Sequence, residues 1–340
     1  MSTQVLEPGQ RCFRISPSLL VLASTTLMVG ILVFVTYRRG ASMDAVMRFL
    51  DQGRAPTSDE AFVACPIEYS LHSREANDVI FLGDSVCRYG IDPNQFQRLS
   101  GLKAFNLGSF GFLGPSGYAI TARTYFANHP KPQAVVLCVS AISFAADPET
   151  GGGSIPRRFE DAYGPETLRS IPQYAGFAKL GARSFENWFN GTDVRDSALI
   201  GMERDTYRTF QKRWLESRGY FALPGVHGNP HLVEAFSGEK LILEDWNRGV
   251  CRLADECAAA DVPLVVRYCP LSTEFMGADY SPVEQWADEF ASTHPSAVVS
   301  RPTLLWYDPL LSWDRVHLNA AGVANFMPVV AKDVQVALKK

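Results

Sequence analysis

Three short, almost wholly apolar runs constrain the fold of this chain most strongly: DVIFL at 78–82, AVVLCV at 134–139 and PLVVRYC at 263–269. A strand with one wet face alternates apolar and polar residues, whereas a continuous aliphatic run suits a strand buried on both faces. Helix-like segments separate the runs at 93–99, 117–127, 241–260 and 282–292, and another at 320–338 closes the sequence. Parallel strands need crossover helices, so this alternation predicts an α/β domain, a three-layer α/β/α sandwich around a central, mostly parallel sheet. With 340 residues and 46% hydrophobic content, the chain can build a large core. Its 32 Lys and Arg against 36 Asp and Glu give a net charge of −4 with no long run of either sign. No nucleic-acid partner is expected, because neutralising phosphates requires a basic face.

Residues 17–37 read PSLLVLASTTLMVGILVFVTY and carry no charge. A helix of about 20 such residues spans a hydrocarbon core of roughly 30 Å, which predicts a single-pass membrane anchor. Ser24, Thr25 and Thr26 are its one polar cluster, and their hydroxyls can bond back to the helix backbone. Arg11 and Arg14 precede the run and Arg38 and Arg39 follow it, so flanking charge leaves the orientation even. A cleaved signal peptide would have an apolar core of about 7–15 residues ending at small residues. Here arginines follow the run directly, and an uncleaved anchor is the expectation. The chain then divides into a tail (1–16), the anchor (17–37), a juxtamembrane helix and spacer (38–77) and a main domain (78–340). The spacer is loop-prone over 53–66, with Pro56, Ser58 and Pro66. Residues 148–240 break the strand–helix rhythm; they contain Gly151-Gly152-Gly153-Ser154 and a charged helical stretch at 195–218, and read as an insertion or lid.

There are seven cysteines: Cys12, Cys65, Cys87, Cys138, Cys251, Cys257 and Cys269. No CxxC or HExxH spacing occurs, so neither a metal nor any other cofactor is expected. Cys138 and Cys269 fall in apolar runs where cysteine acts as a small hydrophobe, and at most one disulfide is expected.

In open parallel sheets ligands bind beyond the carboxyl ends of the strands. Ser85 stands there, after DVIFL-Gly83-Asp84, at the head of a helix whose amides favour developing negative charge. A serine hydroxyl needs an imidazole to take its proton and a carboxylate to orient that imidazole. Asp314 and His317, spaced DxxH before the last helix, can supply both. Taken singly, Gly-Asp-Ser is an ordinary strand-to-helix turn and DxxH an ordinary helix-capping loop.

In this order and spacing, FLGDS at 81–85, AFNLGSFGFLGPSG at 104–117 and Asp314-x-x-His317 resemble the SGNH (GDSL-like) hydrolases. The resemblance covers residues 78–335 except about 148–240. It implies an SGNH-hydrolase or flavodoxin-like fold in which Ser85 is the nucleophile, His317 the general base and acid, and Asp314 its orienting partner. The oxyanion hole would use the amides of Ser85 and Gly111. The family's third block usually carries Gly-x-Asn-Asp, where this chain has Cys138-Val139-Ser140-Ala141-Ile142-Ser143-Phe144. Ser140 or Ser143 could donate in place of that Asn, or the third donor is absent. The resemblance further implies a membrane-anchored esterase or O-acyltransferase with its catalytic domain outside the cytoplasm. Its substrate would be an acylated carbohydrate, as O-acetyl groups of a surface polysaccharide, beside a membrane-bound acyltransferase. A lipid esterase or lysophospholipase, and a non-catalytic polysaccharide-binding or assembly protein, are the alternatives.

Other residues have simpler readings. Asn106 ties a turn, Asn319 caps the last helix, and Cys87 packs. His227 and His231 read as surface histidines, and Trp188, Trp214, Tyr220 and Trp246 as packing for lid helices rather than a sugar platform. Asn190-Gly191-Thr192 is a glycosylation sequon.

Overall fold

All three apolar runs form strands. The computed structural model describes residues 27–28, 58–109, 111–141, 204–223, 244–277, 279–314 and 316–339. Five strands make one wholly parallel sheet: β1 (Val79–Gly83), β2 (Ala104–Asn106), β3 (Ala134–Val139), β4 (Leu264–Tyr268) and β6 (Ala297–Val299), in the order β2-β1-β3-β4-β6. A two-stranded parallel pair, β5 (Leu271–Ser272) with β7 (Trp306–Tyr307), stands beside it. The registers Phe81↔Asn106, Phe81↔Val136 and Val136↔Val265 fix the centre of the sheet.

Strand side chains alternate between two separate cores. Ile80, Leu82, Val135, Leu137, Val139 and Val266 join the core built by α1 (Ser58–His72), α4 (Gly114–Asn128), α6 (Glu244–Ala259) and α7 (Ser281–Thr293). Val79, Phe81, Val136, Cys138 and Val265 face the opposite core, with α2 (Ser85–Gly90), α3 (Pro93–Ser100) and α8 (Ala320–Ala337). Both faces are thus covered, which is why the runs lack a polar alternation. Their one internal charge, Arg267, is fully buried and donates from Nε to Asp333 of α8 at 2.7 Å and from Nη1 to the Pro302 carbonyl at 2.8 Å.

Two stretches depart from the sequence reading. From Ser58 onward the expected spacer is helix α1, and Val63, Cys65, Ile67 and Tyr69 are buried in the main core. Pro66 lies inside this helix, and the Ser70 hydroxyl donates to the Pro66 carbonyl at 2.8 Å. Burial of six consecutive residues, 65–70, outweighs the breaker residues that suggested a loop. Part of the expected insertion, within residues 204–223, is likewise part of the core. Trp214, on α5 (Arg204–Glu216), is 1% exposed, with its ring 5.1 Å from Phe105 and 5.9 Å from Tyr69. Beyond α5 the chain takes left-handed backbone at Arg218 (φ 56°) and Gly219 (φ 89°), and the Arg218 carbonyl accepts from the Asn106 amide at 2.9 Å. A Cβ at Gly219 would lie 1.8 Å from the Asn106 carbonyl oxygen, so only glycine lets this strap close on the edge of β2.

Trp246, on α6, is fully buried. Trp188, Asn190, His227 and His231 lie outside the described residues, as does the expected anchor except for residues 27 and 28. Among the described residues no helix is long and apolar enough to cross a membrane. Of the seven cysteines, the six from Cys65 to Cys269 are free thiols.

Candidate active site

From β1 the chain runs to β2 on one side and then returns to β3 on the other, which opens a crevice at the carboxyl ends of β1 and β3. Gly83 ends β1 with φ 152°. Asp84 then caps α2, accepting the Val86 amide at 2.9 Å and, across the crevice, the Ser140 amide at 3.2 Å. One buried carboxylate therefore ties the loop after β1 to the loop after β3. Ser85, the first residue of α2, is left partly exposed at the mouth.

The loop before α8 is as tightly held. Ser312 bridges Leu318, and the Trp313 amide donates to the His317 carbonyl at 2.7 Å. Asn319 does cap α8, accepting from the amides of Ala321 and Gly322 at 3.1 and 3.0 Å, while its Nδ2 donates to the Leu310 carbonyl at 2.7 Å. Asn319→Ala is expected to lower stability by about 1 kcal/mol through the lost cap, measured by urea denaturation. An unchanged midpoint would show that water replaces the cap without cost.

This loop carries His317 across to Ser85, 232 residues away in sequence, with His317 Nε2 2.8 Å from Ser85 Oγ. On the other side of the ring, His317 Nδ1 lies 2.8 and 2.9 Å from the two Asp314 oxygens. The Asp314 carboxylate also accepts the His317 amide at 2.8 Å and the Val316 amide at 3.3 Å. Burial pushes its pKa upward, but the imidazole hydrogen bond and charge and the two amides outweigh that and hold it below the ordinary carboxylate value. An ionised Asp314 fixes the imidazole proton on Nδ1 and leaves the Nε2 lone pair for the serine hydroxyl. Tyr89, four residues after Ser85, stands edge-on to His317 with ring centroids 5.3 Å apart.

The residues expected to hold an oxyanion are partly gathered here. Gly111 opens a turn (Gly111–Leu113) against the nucleophile loop, and a Cβ on it would lie 3.8 Å from Asp84 Cβ. Ser140 is 1% exposed with its amide on Asp84, and Ser143 lies outside the described residues. Asn106 is fully buried: its Nδ2 donates to the carbonyls of Cys87 and Ile91 at 2.9 Å each, and its Oδ1 accepts the Gly108 amide at 2.8 Å. It ties the C-terminal part of α2 to the loop after β2. Cys87 is fully buried, and burial, reinforced by Cys138, raises its thiol pKa well above the ordinary value.

One residue of the site was not singled out from sequence. Arg88 on α2 is fully buried, donates to the carbonyls of Gly108 and Ser109, and lies under the Phe62 ring, 3.6 Å from its centroid. Its position three residues after a candidate nucleophile is the only signal the sequence carries. Among the described residues, no group of three His, Cys, Asp or Glu side chains is placed to hold a metal ion. No protein-family model matches the chain, and no curated protein matches it significantly.

Proposed function

We propose that this protein is a serine esterase or O-acyltransferase of the SGNH type, working through an acyl-enzyme on Ser85. The observation that carries the reading is the continuous relay from Ser85 Oγ through His317 to an ionised Asp314 at the mouth of the sheet crevice. In the first step His317 Nε2 takes the Ser85 proton as Oγ attacks an ester carbonyl, and the imidazolium is held by Asp314. Collapse of the tetrahedral intermediate releases the alcohol, which leaves with the proton from His317. Water or an acceptor hydroxyl then attacks the acyl-serine with His317 again as base, and Ser85 is regenerated. The Ser85 amide at the start of α2, with that of Gly111, is the proposed oxyanion site. The chemistry needs no cofactor.

We further propose O-acetyl groups of a surface polysaccharide as substrate, with the domain outside the cytoplasm and tethered by residues 17–37 near a membrane-bound acyltransferase. The sequence likeness of residues 83–93, GDSVCRYGIDP, to anchored members of the SGNH group supports this substrate, and the uncharged run supports the tether. The test is p-nitrophenyl acetate turnover by the full chain and by Ser85→Ala, each with and without a polysaccharide acceptor whose hydroxyls are free. Release is expected to depend on Ser85, and acceptor-stimulated release would identify transfer. Equal rates in the two proteins would remove the acyl-enzyme reading.

A further inference from the structure

We infer that Arg88 is a positioning residue of this site, its guanidinium setting where the loop carrying Gly111 stands relative to Ser85. The inference rests on the acyl-transfer reading above. Burying a guanidinium completely is costly, and an apolar side chain would fill the same space without that cost. What the guanidinium supplies is a rigid planar fork: Nε donates to the Gly108 carbonyl and Nη2 to the next carbonyl, that of Ser109. The same loop touches the helix backbone directly, since a Cβ at Gly108 would lie 2.6 Å from the Arg88 amide nitrogen. Asn106 holds the loop at the Gly108 amide and the Gly83 carbonyl holds it at the Ser109 amide, while Arg88 takes the carbonyls of both residues, the second of them two residues before Gly111. Because Arg88 and Ser85 belong to one short helix, a loop referenced to Arg88 is referenced to the nucleophile.

Two elements outside the crevice close over this clamp. Phe62 of α1 covers the guanidinium, and it meets Phe210 and Phe221 edge-on at 4.9 and 5.7 Å. The Phe221 amide reaches back to the Arg88 carbonyl at 3.5 Å. Helix α1 and the strap that follows α5 therefore both bear on the oxyanion side of the site. Such a residue acts on a charge that develops only in the transition state, so its loss lowers kcat and leaves KM nearly unchanged.

The experiment compares Arg88→Gln, Arg88→Lys, Phe62→Leu and Ser85→Ala with wild type in the full chain. It measures kcat and KM for p-nitrophenyl acetate, normalised to active sites counted by end-point labelling with a fluorophosphonate. Arg88→Gln is expected to lower kcat per site by about 100-fold, as for a misplacement of about 1 Å, with KM within about two-fold. Arg88→Lys, which keeps the charge but not the fork, is expected to recover about ten-fold of that loss, and Phe62→Leu to lose less than either. A drop in the number of sites with unchanged kcat per site would make Arg88 merely structural and overturn the inference. Should Arg88→Gln not fold, Arg88→Lys decides: a folded protein with wild-type kcat overturns it. Loss of activity in Ser85→Ala with full activity in both Arg88 variants defeats this inference alone. Full activity in Ser85→Ala defeats the acyl-enzyme reading, and this inference with it.

Discussion

Asp314→Asn is expected to lower p-nitrophenyl acetate turnover by about 10⁴-fold while the protein stays folded. The asparagine oxygen can still accept the His317 and Val316 amides, so the loop before α8 keeps its shape. The asparagine amide, however, can present a donor to Nδ1, which favours the tautomer with the proton on Nε2, aimed at Ser85 Oγ. The imidazole then faces the nucleophile as a donor and cannot take its proton. Circular dichroism with steady-state kinetics checks the two halves of the expectation, and a loss below about ten-fold would show that Asp314 does not set the tautomer. The same variant has a stability signature. The folded-state pKa of Asp314 lies below the unfolded one, so its contribution is complete above the ordinary carboxylate value and disappears as pH falls through the folded value. Wild type should therefore lose more stability than Asp314→Asn when melting is followed from pH 7 down through about pH 4 and below.

Gly83→Ala is expected to destabilise the domain by more than about 4 kcal/mol. An alanine Cβ there would lie 1.8 Å from the Cys138 carbonyl oxygen and 2.9 Å from Cys87 Cβ, at a φ of 152° that L residues rarely adopt. Gly83 and Cys138 are register partners across β1 and β3, so relief requires the two central strands to part. That parting also strains the Asp84 link to Ser140, which joins the loops after the same two strands. Gly101→Ala separates the two causes: Gly101 has φ 76° but nothing within 4 Å of a Cβ, so it should lose only about 1–2 kcal/mol of backbone strain. Urea titration of both variants checks this, and similar midpoints would mean that the strands yield at Gly83.

The parts legible in the sequence were those governed by local pattern. The runs at 134–139 and 263–269 could be recognised as strands because both faces of each are buried, and a segment with no wet face has no polar positions to break it. Asn319 was legible as a cap because capping needs only a short polar side chain at a helix start. Ser85, Asp314 and His317 could be picked out as a set because a serine nucleophile demands those residue types, and their meeting within hydrogen-bond distance is a property of the folded chain alone.

Tertiary structure decided the rest, since nonlocal burial leaves no local mark. Pro56, Ser58 and Pro66 carry the local chemistry of a loop, yet Val63, Ile67 and Tyr69 find a core to enter and the stretch from Ser58 becomes helix. Trp214 and Gly219 sit in a segment whose charge suggested a cover, and its attachment to β2 depends on a carbonyl at Arg218 meeting an amide at Asn106. Arg88 has the composition of a surface residue. The carbonyls of Gly108 and Ser109 and the ring of Phe62, brought together from two other segments, receive its buried guanidinium. The sequence by itself determined the layers, the central strands and the types of residue at the site. The fold decided which segments close over the site and what holds its loops, because those contacts are made by backbone groups that every residue carries.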